Sequence, residues 1–138
     1  MAKYFAKIGL DNVVTRVYVV DDSNASDEAA GVSYLQNLYG HETWKMCSKT
    51  GAFRVFYPGN GCFYDSTNNI FHQPRPLDKD GASCASWTLN TSTGRYDPPI
   101  AQPALSRAEE ESGKIWKWDE SVYQGDTGSP KTLGWILT

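Results

Sequence analysis

Lys3-Tyr4-Phe5-Ala6-Lys7-Ile8-Gly9, then Leu10-Asp11-Asn12, then Val13-Val14-Thr15-Arg16-Val17-Tyr18-Val19-Val20: this is the stretch on which the fold turns. Both arms are rich in β-branched and aromatic residues, which fit a pleated, half-buried surface, and the Leu-Asp-Asn break between them suits a tight turn. The pattern predicts a β-hairpin. In its second arm Val13, Thr15, Val17 and Val19 alternate with Val14, Arg16, Tyr18 and Val20, so one face is moderately apolar and the other mixed. A sheet with one covered face is expected.

Downstream, Ser23, Asn24, Ser26 and Asp27 are candidate helix caps, Asp27 and Glu28 place acid in the first turn, and Gly40 offers a stop. Val32, Leu35, Leu38 and Tyr39 recur at offsets of three and four, the stripe of a helix lying on the hairpin. Glu42–Cys47 and Phe53–Tyr57 read as a further strand pair around Ser48-Lys49-Thr50-Gly51. The expected class is therefore α+β and β-rich. Residues 1–57 form a ββαββ core module, with one helix packed on an antiparallel sheet.

From Pro58 the character changes to proline, glycine and asparagine with aromatics placed singly, which suits short hairpins joined by turns. Tyr64-Asp65-Ser66-Thr67-Asn68-Asn69-Ile70-Phe71 aligns without a gap on Leu89-Asn90-Thr91-Ser92-Thr93-Gly94-Arg95-Tyr96. The shared pattern is a hydrophobe, an Asx, four small polar residues, any residue, then an aromatic. Asx and Gly tolerate the left-handed conformations of a tight turn, and the flanking hydrophobes become a cross-strand pair. Residues 58–103 are thus read as tandem short hairpins. Trp118-Asp119-Glu120-Ser121-Val122-Tyr123 is a shorter candidate third copy. Residues 104–138 are read as a C-terminal extension or arm. Its ALSRAEEES portion could form one short helix but has too few apolar residues to anchor it firmly, which favours a solvated arm, and Leu133, Trp135, Ile136 and Leu137 form an apolar terminal strand suited to docking on a neighbouring subunit.

A chain of 138 residues with 40% hydrophobic residues is long enough for one core. Its formal net charge of −3 supplies no broad positive field, so nucleic acid is not an expected partner. No apolar run approaches the roughly 20 residues that span a bilayer, so no membrane association is expected, and Gly9-Leu10-Asp11 interrupts the N-terminus before a signal-peptide core develops.

Chemistry finds little purchase. Cys47, Cys62 and Cys84 are odd in number and lack finger-like spacing, so reduced thiols and no metal site are expected. Only His41 and His72 can serve as imidazole bases, and neither lies in a recognised catalytic motif. Asp21-Asp22, Asp78-Lys79-Asp80 and Glu109-Glu110-Glu111 lie in polar stretches that read as solvated surface. Pro58-Gly59-Asn60-Gly61 leads into Cys62-Phe63-Tyr64 rather than a helix, which excludes a P-loop. No enzyme and no cofactor are expected. The residues that remain for partner binding are Trp87, Tyr96, Trp116, Trp118, Tyr123, Leu133, Trp135 and Ile136.

Met1–Ile8, Gly31–Gly40 (GVSYLQNLYG), Trp44, Tyr64–Pro76 (YDSTNNIFHQPRP) and Ser86–Asn90 (SWTLN) together resemble small virion-associated structural proteins of marine tailed phages, especially cyanophages. The resemblance covers residues 1 to about 103. Members carry an F-R-x-N-Y-A-G-x-G-x-x-Y-D stretch, which Phe53–Asp65 matches apart from differences that include Pro58. What it implies is association with a phage particle, with no catalytic residues to carry over. The expected role is a capsid decoration protein bridging shell subunits, its partners the major capsid protein and further copies of itself, located in the virion and, before assembly, in the host cytoplasm. One alternative is a tail or fibre protein that binds host-surface glycan through its aromatics. Another is a small hydrolase built on Cys84 or Cys62 with His72.

Overall fold

The N-terminal hairpin forms as the residue pattern dictates. In the computed structural model, which describes residues 1–40 and 42–138, β1 (Ala2–Ile8) pairs antiparallel with β2 (Val14–Asp21), Ala2 lying opposite Asp21 and Ile8 opposite Val14. His41, weighed above as a catalytic candidate, lies outside the described residues. The Leu10–Asn12 break is a 3-10 turn with positive φ at Asp11 (56°) and Asn12 (60°), a conformation these two residue types tolerate. After α1 (Glu28–Tyr39), β3 (Thr43–Cys47) pairs with β1 from the other side, giving a three-stranded antiparallel sheet in the order β2-β1-β3. The class is α+β and strand-rich, a β-β-α-β sheet followed by antiparallel hairpins.

Asp27 starts α1 by accepting the Ala30 N–H (2.8 Å), and Gly40 ends it at φ 101°. The line facing the sheet runs through Glu28, Gly31, Val32 and Leu35. Gly31 is required there, since a Cβ would meet the Phe5 ring at 2.1 Å. Close approach at Gly31 moves the buried stripe toward the helix start, so Leu38 and Tyr39, expected in the stripe, are more than half exposed. Tyr39 instead packs at the rim, 5.0 Å from Tyr18 and 6.0 Å from Trp44 between ring centroids.

Phe53–Tyr57 is not a strand, which corrects the fifth element expected of the N-terminal module. Arg54 and Val55 take φ of 51° and 69°, where a strand needs strongly negative values. The cause is the Arg54 side chain. Its guanidinium clasps both carboxylate oxygens of Glu28 at the head of α1 and donates to Met46 O (2.8 Å), while Nε donates to Asn69 Oδ1 (2.9 Å). Met46 N–H in turn donates to Glu28 (2.7 Å).

That clasp turns the following chain over the sheet, so both faces are covered rather than the one expected. Phe5, Val20, Leu35 and Trp44 pack beneath α1. On the opposite face Ala6, Ile8, Val14 and Cys47 pack against Tyr64 and Phe71. These two aromatics lie on β4 (Phe63–Asp65) and β5 (Ile70–His72), directly opposite one another with centroids 5.3 Å apart.

The two repeat copies fold alike: β6 (Thr88–Asn90) and β7 (Arg95–Asp97) repeat the hairpin of β4 and β5 at the aligned positions. Asp65 Oδ1 accepts from Thr67 N–H (2.9 Å) and Asn90 Oδ1 from Ser92 N–H (2.9 Å), so the shared Asx opens both turns. Asn69 (φ 52°) and Gly94 (φ 71°) close them in the left-handed region. At Gly94 only glycine fits, because a Cβ would stand 2.7 Å from both Phe56 Cβ and Phe71 O.

By packing, the chain divides into two compact units, Met1–Pro74 with Asn90–Arg95, and Arg75–Leu89 with Tyr96–Thr138. The second contains α2 (Arg107–Glu111), β8 (Trp116–Trp118), α3 (Glu120–Gly125) and β9 (Trp135–Leu137). The ALSRAEEES stretch thus forms a short helix despite its few apolar residues. A capping box between Ser106 and Glu109 satisfies its first turn.

Burial works against the Glu28 charge, but the hydrogen bonds from Arg54 and Met46 prevail and hold its carboxyl below the ordinary value of 4.5. A lowered folded pKa means stability that is complete above that value and lost as pH falls through the folded one. Arg54→Met is expected to cost about 2 kcal/mol, reduced from a fully buried pair because the Glu28 side chain is 34% exposed, and to flatten the acid limb in urea titrations run at a series of pH values. Gly94→Ala should cost roughly 2–4 kcal/mol from overpacking added to left-handed strain. Gly61→Ala, also at positive φ but with open space around it, should cost only about 1 kcal/mol in the same melts.

Candidate binding surface in the second unit

All eight residues singled out for partner binding fall in the second unit. Its local frame comes from Trp116-Lys117-Trp118-Asp119-Glu120-Ser121-Val122-Tyr123. The suspected third hairpin does not form there. Asp119 Oδ1 accepts the Val122 N–H (3.1 Å) and caps α3, so the chain leaves β8 into a helix instead of a turn. The C-terminal strand finds a partner within the chain along one of its edges. β9 pairs antiparallel with β8, Trp116 opposite Leu137 and Trp118 opposite Trp135, because the apolar residues at the terminus find their complement within the chain.

Four of the eight residues meet in one cluster. Trp118 is the centre, 4% exposed, with Trp135 edge-on at 5.1 Å, Trp87 edge-on at 5.8 Å and Tyr123 tilted at 5.5 Å. Offset and edge-to-face arrangements of this kind place the positive edge of one ring on the negative face of the next. Gly134 completes the fit, since a Cβ there would come within 2.5 Å of the Trp118 ring. Trp118 is core. Its indole N–H is also spent, on Glu120 Oε1 (2.9 Å), and that of Trp135 on Ile100 O (2.7 Å).

The remaining residues lie outside the cluster. Tyr96 carries the Arg75 guanidinium over its ring at 4.7 Å, and Arg75 also donates to Cys84 O (2.9 Å) and Trp87 O (2.5 Å). Trp116 is half-buried on β8, Ile136 is half-buried opposite Lys117, and Leu133 is 53% exposed. Leu133, with Leu77 (66%) and Ile115 (52%), makes up the large apolar side chains that this unit leaves to solvent.

Glu120 is the residue that sequence reasoning missed. It is 7% exposed and accepts from Trp118, Ser86 Oγ (2.7 Å), Ser86 N–H (3.1 Å) and Gln124 Nε2 (2.6 Å). Burial opposes its charge, but these donors outweigh it and hold the carboxyl below its ordinary range. The available signal was an acid in the first turn of a helix directly after Trp-Lys-Trp, where a buried indole needs an acceptor.

Asp78, Asp80 and Asp119 bring one carboxylate oxygen each within 4.8 Å of one another. The Lys79 ammonium lies 3.0 Å from Asp80 and 3.6 Å from Asp119, and Asp78 accepts the N–H groups of Glu120, Asp80 and Ala82. The chain's own lysine and backbone dipoles thus answer the negative charge of the cluster.

The thiols are arranged for packing. Burial pushes Cys47 up to about 12 and also raises Cys84, the opposite of what a nucleophile needs. All three cysteines are free. His72 stacks on Phe63 at 5.5 Å and places Nδ1 2.7 Å from Gln73 O.

No protein-family model matches this chain, and neither the curated proteins nor the solved structures contain a match to it.

Glu120→Gln sets an amide nitrogen among donors and leaves at least one of them unpaired. We expect it to destabilise the second unit by about 2–3 kcal/mol, read as a lowered urea midpoint, with a smaller loss for Gln124→Ala.

Proposed function

We propose that this chain is a structural component of a tailed-phage particle, a decoration protein that bridges neighbouring subunits of the capsid shell. The observation that carries this reading is an open strand edge in the first unit, on β2. Its sheet is covered on both faces, and the outer edge of β3 is capped at Met46 by Glu28 and Arg54. The outer edge of β2 stays open for most of its length. An open edge of this kind supports assembly by strand addition, in which backbone hydrogen bonds supply affinity and alternate side chains supply selectivity. Repetition over a symmetric shell makes individually weak contacts sufficient.

The residues that carry the resemblance to phage virion proteins fit the same reading. Gly31, Trp44, Tyr64 and Asp65 serve helix approach, core and turn, which is what a scaffold shared within a structural family would retain.

Quantitative mass spectrometry of purified heads and tails, with the major capsid protein as internal standard, tests the proposal. Abundance on heads in proportion to shell subunits is the expected outcome. A few copies confined to tails would replace decoration with a tail role, and absence from both would overturn the virion assignment.

A further inference from the structure

We propose that the open edge of β2 pairs antiparallel with β2 of a second copy, joining two three-stranded sheets across a two-fold axis. This deepens the assembly reading above, on which it rests, by naming what occupies the edge.

The phase of the ladder comes from one bond. Asp22 N–H donates to Met1 O (3.3 Å), so Val20, Tyr18 and Arg16 exchange bonds with β1, and Val17, Val19 and Asp21 turn their N–H and C=O groups outward. The same alternation turns Met46 outward on β3, where Glu28 and Arg54 take both of its groups. On β2 the chain takes up only the beginning of the edge: Val14 N–H donates to Cys62 O (2.7 Å) and Val14 O accepts from Gly61 N–H (2.8 Å). Among the described residues, no backbone bond caps Val17 or Val19.

Natural edges are guarded by proline, lysine, bulges or brevity. β2 is 8 residues long, and its Thr15–Asp21 portion contains neither proline nor lysine. Its one irregularity lies at the Lys7/Ile8 register shift, next to the end that is already capped. Val19 on this edge is 65% exposed.

Charge selects the occupant. The side chains of β2 itself carry Arg16 toward one end and Asp21 and Asp22 at the other, with Lys3 of β1 2.9 Å from Asp22, so the strand's own charges complement those of a second copy in the antiparallel sense. With Val19 opposite its counterpart, an arrangement that outward-facing residues permit, Arg16 of each copy lies opposite Asp22 of the other and Val17 opposite Asp21. Such an interface is isologous and closes at two copies.

Sedimentation velocity on the full chain over a concentration series, together with hydrogen exchange resolved to single amides, tests this. The mass is expected to double reversibly, with exchange at Val17 and Val19 slowing as concentration rises while Val20, already bonded to β1, stays unchanged. Val19→Lys sets two ammonium groups against each other on the axis and should weaken dimerisation at least tenfold, with the circular dichroism spectrum retained because the side chain is exposed. A chain that remains monomeric, or a dimer unaffected by Val19→Lys, would overturn the self-pairing. Either result leaves the particle assignment to the head and tail measurement, whose failure would in turn leave a β2 dimer standing.

Discussion

The first unit is organised around the clasp between Arg54 and Glu28. Glu28 belongs to the first turn of α1, Arg54 to the loop after β3, and both reach Met46 on the sheet's outer strand. Helix, strand and loop are thereby fixed at one point by charge-assisted hydrogen bonds, which are roughly twice as strong as neutral ones. The left-handed backbone at Arg54 and Val55 is the strain accepted for this, on the order of 1–2 kcal/mol per residue. In return the chain is aimed across the sheet, where Phe71 N–H bonds to Arg54 O (3.0 Å) and the first aromatic hairpin closes the second face.

The second unit solves the same problem with a different device. At the centre of its aromatic cluster the Trp118 indole N–H needs an acceptor once buried, and Glu120 supplies it. The price is a buried carboxylate, kept ionised by four donors from three residues. Both units therefore tie neighbouring elements together through an acid in the first turn of a helix, where the helix dipole already favours negative charge.

Much of this was legible in the sequence, for identifiable reasons. The N-terminal hairpin, α1 and the two aromatic hairpins follow from local rules: β-branched alternation, an Asx cap, and an Asx-to-Gly turn repeated at fixed offset. Phe53–Tyr57 misled because its composition is that of a strand while its conformation is set by a partner 26 residues away, at Glu28. Trp118–Tyr123 misled because Asp119 opens a hairpin turn and caps a helix with equal ease, and only the surrounding packing decides between them. Of the binding candidates, apolar character alone could not separate Trp118, which is core, from Leu133, which faces solvent. Glu120 was hidden because an acid beside an acid reads as surface.

The distribution of indole rings has an experimental consequence. Trp44 lies in the first unit, whereas Trp87, Trp116, Trp118 and Trp135 all lie in the second. Intrinsic fluorescence of the native chain is therefore dominated by the second unit, and the edge-on rings around Trp118 give it a coupled near-ultraviolet signature that vanishes when their packing loosens. Backbone ellipticity weights the two units far more evenly. A melt in which the optical signal and the ellipticity part company would reveal units that come apart in sequence, and a melt in which they coincide would reveal one cooperative body.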